Sequence, residues 1–154
     1  DLGTAVESTV YTVGNVADVS ATHTNGTDDV YAVADGKLPK SSSDTSIPRW
    51  TSWSQKGKEQ QVEIKLKKAQ EIESISVYWY DDQGGVQLPV SWNIEYYAQG
   101  VWHPFKLYVT DVYGIQANQF NMVHPAEPFT TGSIRLNITP QEYATVGILE
   151  VQIE

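Results

Sequence analysis

Carboxylates in one polar loop are the first residues of this sequence that could do chemistry. Asp35-Gly36 opens the stretch Val33 to Trp53, VADGKLPKSSSDTSIPRWTSW, and Asp44 sits near its middle. A hard cation such as calcium takes six to eight oxygen ligands, partly carboxylate and partly main-chain carbonyl. Asp35 offers a carboxylate, and Gly36 lets the backbone turn its carbonyls inward. Asp44, Ser46 and the carbonyls of Val33 and Lys37 are further oxygen donors in the same loop. An Asp-Gly pair is also an ordinary turn former. The loop therefore reads either as a cation site or as a plain turn. Its length favours a role, since a connection this long within a compact domain is usually functional or disordered.

Other chemistries find little support. Glycosidases need two facing carboxylates, but Asp81 and Asp82 are adjacent and on a strand would point to opposite faces. His23, His103 and His124 have no helical metal spacing, and no H-E-x-x-H occurs. Ser41 to Ser43 lies outside any G-x-S-x-G elbow. There is no phosphate-cradling glycine loop. With no cysteine in the chain, a disulfide framework, a thiolate metal site and a cysteine nucleophile are excluded. An enzyme is not expected. The formal charge of −9, from 10 Lys plus Arg against 19 Asp plus Glu, repels phosphate backbones and anionic membrane surfaces. Neither nucleic acid nor membrane is an expected partner, and no apolar run approaches the roughly 20 residues of a membrane helix. Calcium and neutral sugars remain open.

The elements that must position these residues read as strands. Val16 to Thr24 alternates imperfectly, and Asn25-Gly26 reads as a turn. Trp50 to Ser54 is a short strand. Gln60 to Leu66 sets Val62, Ile64 and Leu66 against Glu63 and Lys65. Ile72 to Tyr80 buries Ile75, Val77 and Trp79, leaving Ser74, Ser76, Tyr78 and Tyr80 on the other face. Val90 to Ala98 turns at Gln99-Gly100 into Val101 to His103, a hairpin. Lys106 to Thr110 is extended. Phe120 to Phe129 carries Pro125 and Pro128, which places it at an edge or bulge. Ser133 to Thr139 and Gly147 to Glu154 alternate again. In the last segment Ile148 and Glu150 share a face, which turns the Glu150 carboxylate inward, where an unpaired charge is costly. About eight short strands without a convincing helix predict a single all-β domain, an antiparallel sandwich or barrel over residues 16–154. Residues 1–15 read as a linker or edge segment, and the irregular start suggests a piece of a larger protein. Many of the five Trp and nine Tyr must be core, and a cluster of them on loops would be a recognition surface.

The order of these features is familiar. Val33-Ala-Asp-Gly, a polar loop to Trp50, VEIKL, IESISVYWY, PVSWNIEYYAQGVWHPF, SIRLNI and GILEVQIE follow one another over Val16 to Glu154. This set resembles the discoidin-like, or galactose-binding-like, β-sandwich, in the form of the carbohydrate-binding modules appended to secreted bacterial glycoside hydrolases. The resemblance implies a jelly-roll sandwich with a structural calcium closed by Glu150 from the last strand. It implies sugar contacts from three loops, which in this chain are Trp53, then Tyr80, Asp81, Asp82 and Gln83, then Tyr143. It also implies a secreted or cell-surface bacterial protein with an attached catalytic domain and carbohydrate as ligand. A structural spacer and a protein-binding adhesion domain of the same fold are the alternatives. Two departures stand out. Pro48 replaces the usual threonine two residues before the tryptophan. Tyr80 and a glycine stand where many members carry an arginine and an asparagine for a galactose-type sugar.

Overall fold

The computed structural model describes residues 14–154. The segment expected to be a linker or edge, residues 1–15, lies almost wholly outside the described residues. Nine strands follow: β1 Val16–Ala21, β2 Trp50–Thr51, β3 Gln60–Glu71, β4 Ile75–Tyr80, β5 Ser91–Ala98, β6 Val101–Pro104, β7 Asn121–Val123, β8 Thr130–Thr139 and β9 Gly147–Ile153. They form a five-stranded sheet, β1-β3-β8-β5-β6, and a four-stranded sheet, β2-β9-β4-β7. Every pairing within the sheets is antiparallel. The architecture is the all-β, discoidin-like sandwich expected.

The period-two pattern explains the core. Val62, Ile64 and Leu66 of β3 and Ile134, Leu136 and Ile138 of β8 meet Ile75, Val77 and Trp79 of β4 across the sheets. Each such side chain contributes roughly 1.5–3 kcal/mol on burial, so these rows outweigh any single polar contact. Trp79 and Trp92 meet edge to face at 5.3 Å, and both indole N–H groups donate to the Gly114 carbonyl, at 3.2 and 2.8 Å. Trp102 packs on the hairpin face instead, against Tyr97. That hairpin turns through Gln99 and Gly100 at φ +50° and +79°, the geometry of a type I′ turn. β7 sits at a sheet edge, and Pro125 and Pro128 follow it outside the strand.

Four expectations are corrected. Val30–Ala34 is a short 3-10 helix, where no helix was expected; Asp29 caps it by accepting from the Tyr31 amide at 2.9 Å. Lys106 to Thr110 contributes only an isolated bridge, Leu107 to Pro125. The second face of β4 is not open: Ser74, Ser76, Tyr78 and Tyr80 are all buried. Tyr78, Tyr80, Val86 and Leu149 form a second apolar cluster, covered by Ile47 and Phe120. The long polar loop lies over this face, anchored where the Asp81 amide donates to the Ser42 carbonyl at 2.8 Å. Finally, β9 does not alternate evenly. Its register against β4 shifts between Tyr78/Glu150 and Trp79/Ile148. This bulge leaves Ile148, Val151 and Ile153 in the main core and Leu149 in the second cluster. Glu150 stands opposite Tyr78 and shares its outer face, not that of Ile148.

Asn121 ties β4, β7 and the 114–119 connection together. It is buried. Its Oδ1 accepts from the Gln116 amide at 2.9 Å, and its Nδ2 reaches the carbonyls of Val77 at 3.2 Å and Gln116 at 3.0 Å. Asn121→Leu leaves those main-chain groups unpaired and is expected to destabilise the fold by about 2–4 kcal/mol. Urea unfolding checks this, with the midpoint falling and the slope unchanged.

Candidate functional site

The long loop and the last strand bring two carboxyl groups together. Asp35 follows the 3-10 helix and is half-buried; Glu150 comes from β9 and is fully buried. Gly36, at φ +78°, turns its amide onto Glu150 Oε2 at 3.1 Å. Only a glycine adopts that backbone without strain. Glu150 Oε1 is buried with no hydrogen-bond partner among the described residues. Burial first, and the Asp35 carboxylate second, push the Glu150 carboxyl up to about 10. Burial also raises Asp35, against the Lys37 amide, which donates to its Oδ1 at 2.9 Å. Two side-by-side carboxyls, one of them buried with an unpartnered oxygen, are an unfavourable pair when both are ionised. The site is all oxygen, and among the described residues no three His, Cys, Asp or Glu side chains come together so as to hold a metal ion. A cation held here would need main-chain oxygens as well.

Val33 is buried in the 3-10 helix beside this pair, and Lys37 follows the turn. Asp44 and Ser46 form a turn of their own. The Asp44 carboxylate accepts from the amides of Lys40 and Ser46 and from the Ser46 hydroxyl, at 2.9, 2.8 and 2.6 Å. The Ser46 hydroxyl, with those two amides, holds the Asp44 carboxyl down at about 2.

A cleft of about 240 Å³ opens where the loops after β2 and β4 meet. Trp53, Tyr80 and Asp82 line it together, and Asn25, Asp28, Arg49, Thr51, Gly85 and Val86 complete it. Tyr80 is buried at its base, and the Arg49 guanidinium lies over its ring at 4.8 Å. Asp28, nearly buried, steers Arg49 from 3.9 Å. The same carboxylate accepts from the Thr51 hydroxyl at 2.5 Å and the Asn25 amide at 3.3 Å. Trp53 is 39% exposed, with Lys56 Nζ 5.5 Å from its ring. The result is an open indole flanked by two cations, Arg49 and Lys56, two carboxylates, Asp28 and Asp82, and small polar groups.

The other expected residues are placed differently. Asp82 Oδ1 accepts from the amides of Gly84 and Val86, so it shapes the loop that walls the cleft. Asp81 caps Gln83, which sits at φ +60°. These two line a shallower groove with Gln87 and Gln141. Tyr143 is 81% exposed and outside the cleft wall. Its loop is held at the same end, because the Ala144 carbonyl accepts from the Gly57 amide and Thr145 Oγ1 donates to Gly85. Sequence reading missed Arg49, although it is one of two arginines in the chain and adjoins Trp50. It missed Asn25 and Asp28 because only the β1-to-helix connection brings them to the cleft.

Gly85 has a sequence-invisible reason. A Cβ there would stand 2.1 Å from Trp53 Cζ3. Gly85→Ala is expected to swing the half-exposed indole outward. Stability should change little, while the tryptophan fluorescence maximum shifts red; an unchanged spectrum counts against this packing.

Solved structures share the fold. The Streptococcus pneumoniae beta-galactosidase BgaA superposes with a TM-score of 0.74 at 21% identity, covering 90% of this chain and 97% of that one. The family 32 carbohydrate-binding module of Clostridium perfringens NanJ, solved with galactose, gives 0.67 at 19% identity, covering 88% and 91%. A putative alpha-L-fucosidase of Bacteroides thetaiotaomicron gives 0.65 at 18%, covering 89% of this chain but 27% of that one. The F5/8 type C domain model matches residues 16–151, nearly the whole described chain. The chain belongs to the F5/8 type C domain family.

Proposed function

We propose that this chain is a non-catalytic carbohydrate-binding module, stabilised by calcium, that holds an attached glycoside hydrolase on its glycan in a secreted or cell-surface bacterial protein. The observation that carries the sugar reading is the cleft at Trp53. Sugars offer apolar C–H faces to an aromatic ring and hydroxyls to a few fixed polar groups. Trp53 offers the ring. Arg49, Asp28 and Asn25 offer donors and acceptors already oriented by one another. With tyrosine at position 80, the guanidinium of the cleft comes from Arg49, so a preference for galactose need not follow. Support for an appended role comes from the fucosidase, of which the matching domain is about a quarter. Tethering raises the local concentration of a linked domain without any new contact.

The donors at Asp35 and Glu150 fit calcium: hard oxygens, two carboxyl groups and one buried oxygen awaiting a partner. The carbonyls of Val33 and Lys37, in the same loop, would add main-chain oxygens to such a shell. The metal would supply charge neutralisation for Glu150 and pin the long loop to β9. Among the described residues no helix is long and apolar enough to cross a membrane.

A spacer role is the second reading. Tyr108, Val109 and Val112 are exposed on one loop between β6 and β7, and such patches often mark contacts with another domain. A glycan array on the intact chain separates the two. Binding to at least one glycan, lost in Trp53→Ala, is the expected result; silence across plant and host glycans favours the spacer.

A further inference from the structure

The outer face of the five-stranded sheet carries a second feature, far from the carboxylate pair in composition and separate from the Trp53 cleft. An open groove of about 540 Å³ crosses β3, β8 and β5. Ligand sites commonly span about 300–1,000 Å³. Register places Gln61, Asn137 and Asn93 in one row across these strands, and Glu63, Arg135 and Glu95 in the next. Side chains directly opposite in adjacent strands share a face, so the two rows form one polar floor.

That floor is interlocked. Gln61 Nε2 donates to Asn137 Oδ1 at 2.8 Å. Asn137 Nδ2 donates to Asn93 Oδ1 at 3.0 Å and to Glu95 Oε1 at 2.8 Å. Arg135 Nε donates to the same Glu95 oxygen at 2.7 Å and lies 4.2 Å over the Trp102 ring. A merely solvated strand face is better served by independent long charged side chains. Here short amides hold one another in place, so a ligand would meet them already ordered. Each amide has more hydrogen-bonding capacity than this ladder uses. Asn93 accepts within it while its NH₂ donates to no described residue, and Gln61 donates while its carbonyl oxygen accepts from none.

We infer that this groove is a second carbohydrate site, taking an internal stretch of an uncharged polysaccharide. Three observations select that ligand. The lining contains Glu59 and Glu95 and no Lys or Arg, and Arg135 in the adjoining row is already paired with Glu95, so an anionic chain is repelled. Hydrogen bonds from Arg135 and Asn137 keep Glu95 ionised as an acceptor. Paired donors and acceptors suit vicinal hydroxyls, and a polar floor that runs across three strands, about 10 Å at roughly 4.8 Å per strand, suits a stretch of chain rather than one unit. The Trp53 cleft, at 240 Å³ and walled by loops, would instead take a single unit or a chain end. The groove does not depend on that cleft holding sugar.

Native gels cast with galactomannan, xyloglucan or hydroxyethyl cellulose test it, with polygalacturonate as the anionic control and chitosan as the cationic one. Wild type is expected to be retarded by at least one uncharged polymer and not by polygalacturonate. Asn93→Ala, an exposed change, should weaken that retention about tenfold, the loss of one to two hydrogen bonds. Glu95→Gln should also weaken it, while its melting temperature reports on folding. Trp53→Ala should keep the retention. No retardation in any uncharged gel, full retention in Asn93→Ala, or loss in Trp53→Ala alone overturns the proposal. Retardation by chitosan only would replace the uncharged ligand with a cationic one and so overturns it too. Loss of free monosaccharide binding in Trp53→Ala, with the polymer still held, separates the two sites.

Discussion

Calcium added to the metal-free protein should raise its melting temperature by about 5–10 °C, and Glu150→Gln should abolish that response. A ligand present at a hundred times its dissociation constant stabilises the folded state by about 2.7 kcal/mol. In a domain of this size each kcal/mol moves the midpoint by about 2–4 °C. Glu150 is the decisive residue because it is fully buried with an unpartnered oxygen. The variant makes a second, sharper prediction. Without metal at pH 8, Glu150→Gln should be more stable than wild type, since an amide of the same shape removes the cost of protonating a carboxyl that is ionised in the unfolded chain. The pH dependence has a definite sign. The folded carboxyl is raised to about 10, against roughly 4.3 when unfolded. Between those values the folded state binds more protons, so the stability of the metal-free protein falls as pH rises. From pH 5 to pH 8 the ceiling is about 4 kcal/mol, at about 1.4 kcal/mol per unit. Asp44 and Glu95, both held low, act oppositely and only towards acid. Calorimetric scans at pH 5 and 8, with calcium and with a chelator, carry the test. A chelator that shifts nothing in wild type removes calcium from the account.

Truncating Trp53 should weaken glycan binding by about thirtyfold or more, the scale of about 2 kcal/mol seen for central aromatic anchors. The ring is the one large apolar surface that the cleft leaves open, at 39% exposed. Arg49→Lys should weaken binding too, although the charge remains. A lysine cannot lie flat on Tyr80 or present the planar fork that Asp28 orients. Both side chains are partly exposed, so melting temperatures should stay close to wild type. Titration calorimetry with the best glycan from an array measures the loss. If Trp53→Ala binds that glycan as tightly as wild type, the cleft is not the sugar site.

The two sites differ in how far they could be read from the chain. Asp35-Gly36 and Glu150 were both identifiable, one from turn chemistry and one through family likeness. Their meeting was implied only by that likeness, since 114 residues separate Gly36 from Glu150 and no local pattern joins them. The direction of Glu150 was expected inward with Ile148. The bulge in β9 reverses this and aims it at the long loop. A bulge adds one unpaired residue and leaves no mark on a period-two pattern that is apolar on both sides. Tyr80 was expected on an open face for a similar reason. Alternation tells which residues share a face, but not whether a distant loop covers it.

Alternating residues were enough to determine most strands, the antiparallel all-β class and the main core of Val62, Ile64, Ile75 and Val77, while the choice of sandwich over barrel came from the family likeness. Composition was enough to exclude thiol chemistry and to disfavour anionic partners. Only the tertiary structure decided that the stretch from Val33 to Trp53 covers the second face of β4. Only it decided that Arg49 and Asp28 join Trp53, and that Gln61, Asn137 and Asn93 form one ladder. Those contacts join positions tens of residues apart. Strand register and loop path choose them, and local sequence carries no record of either.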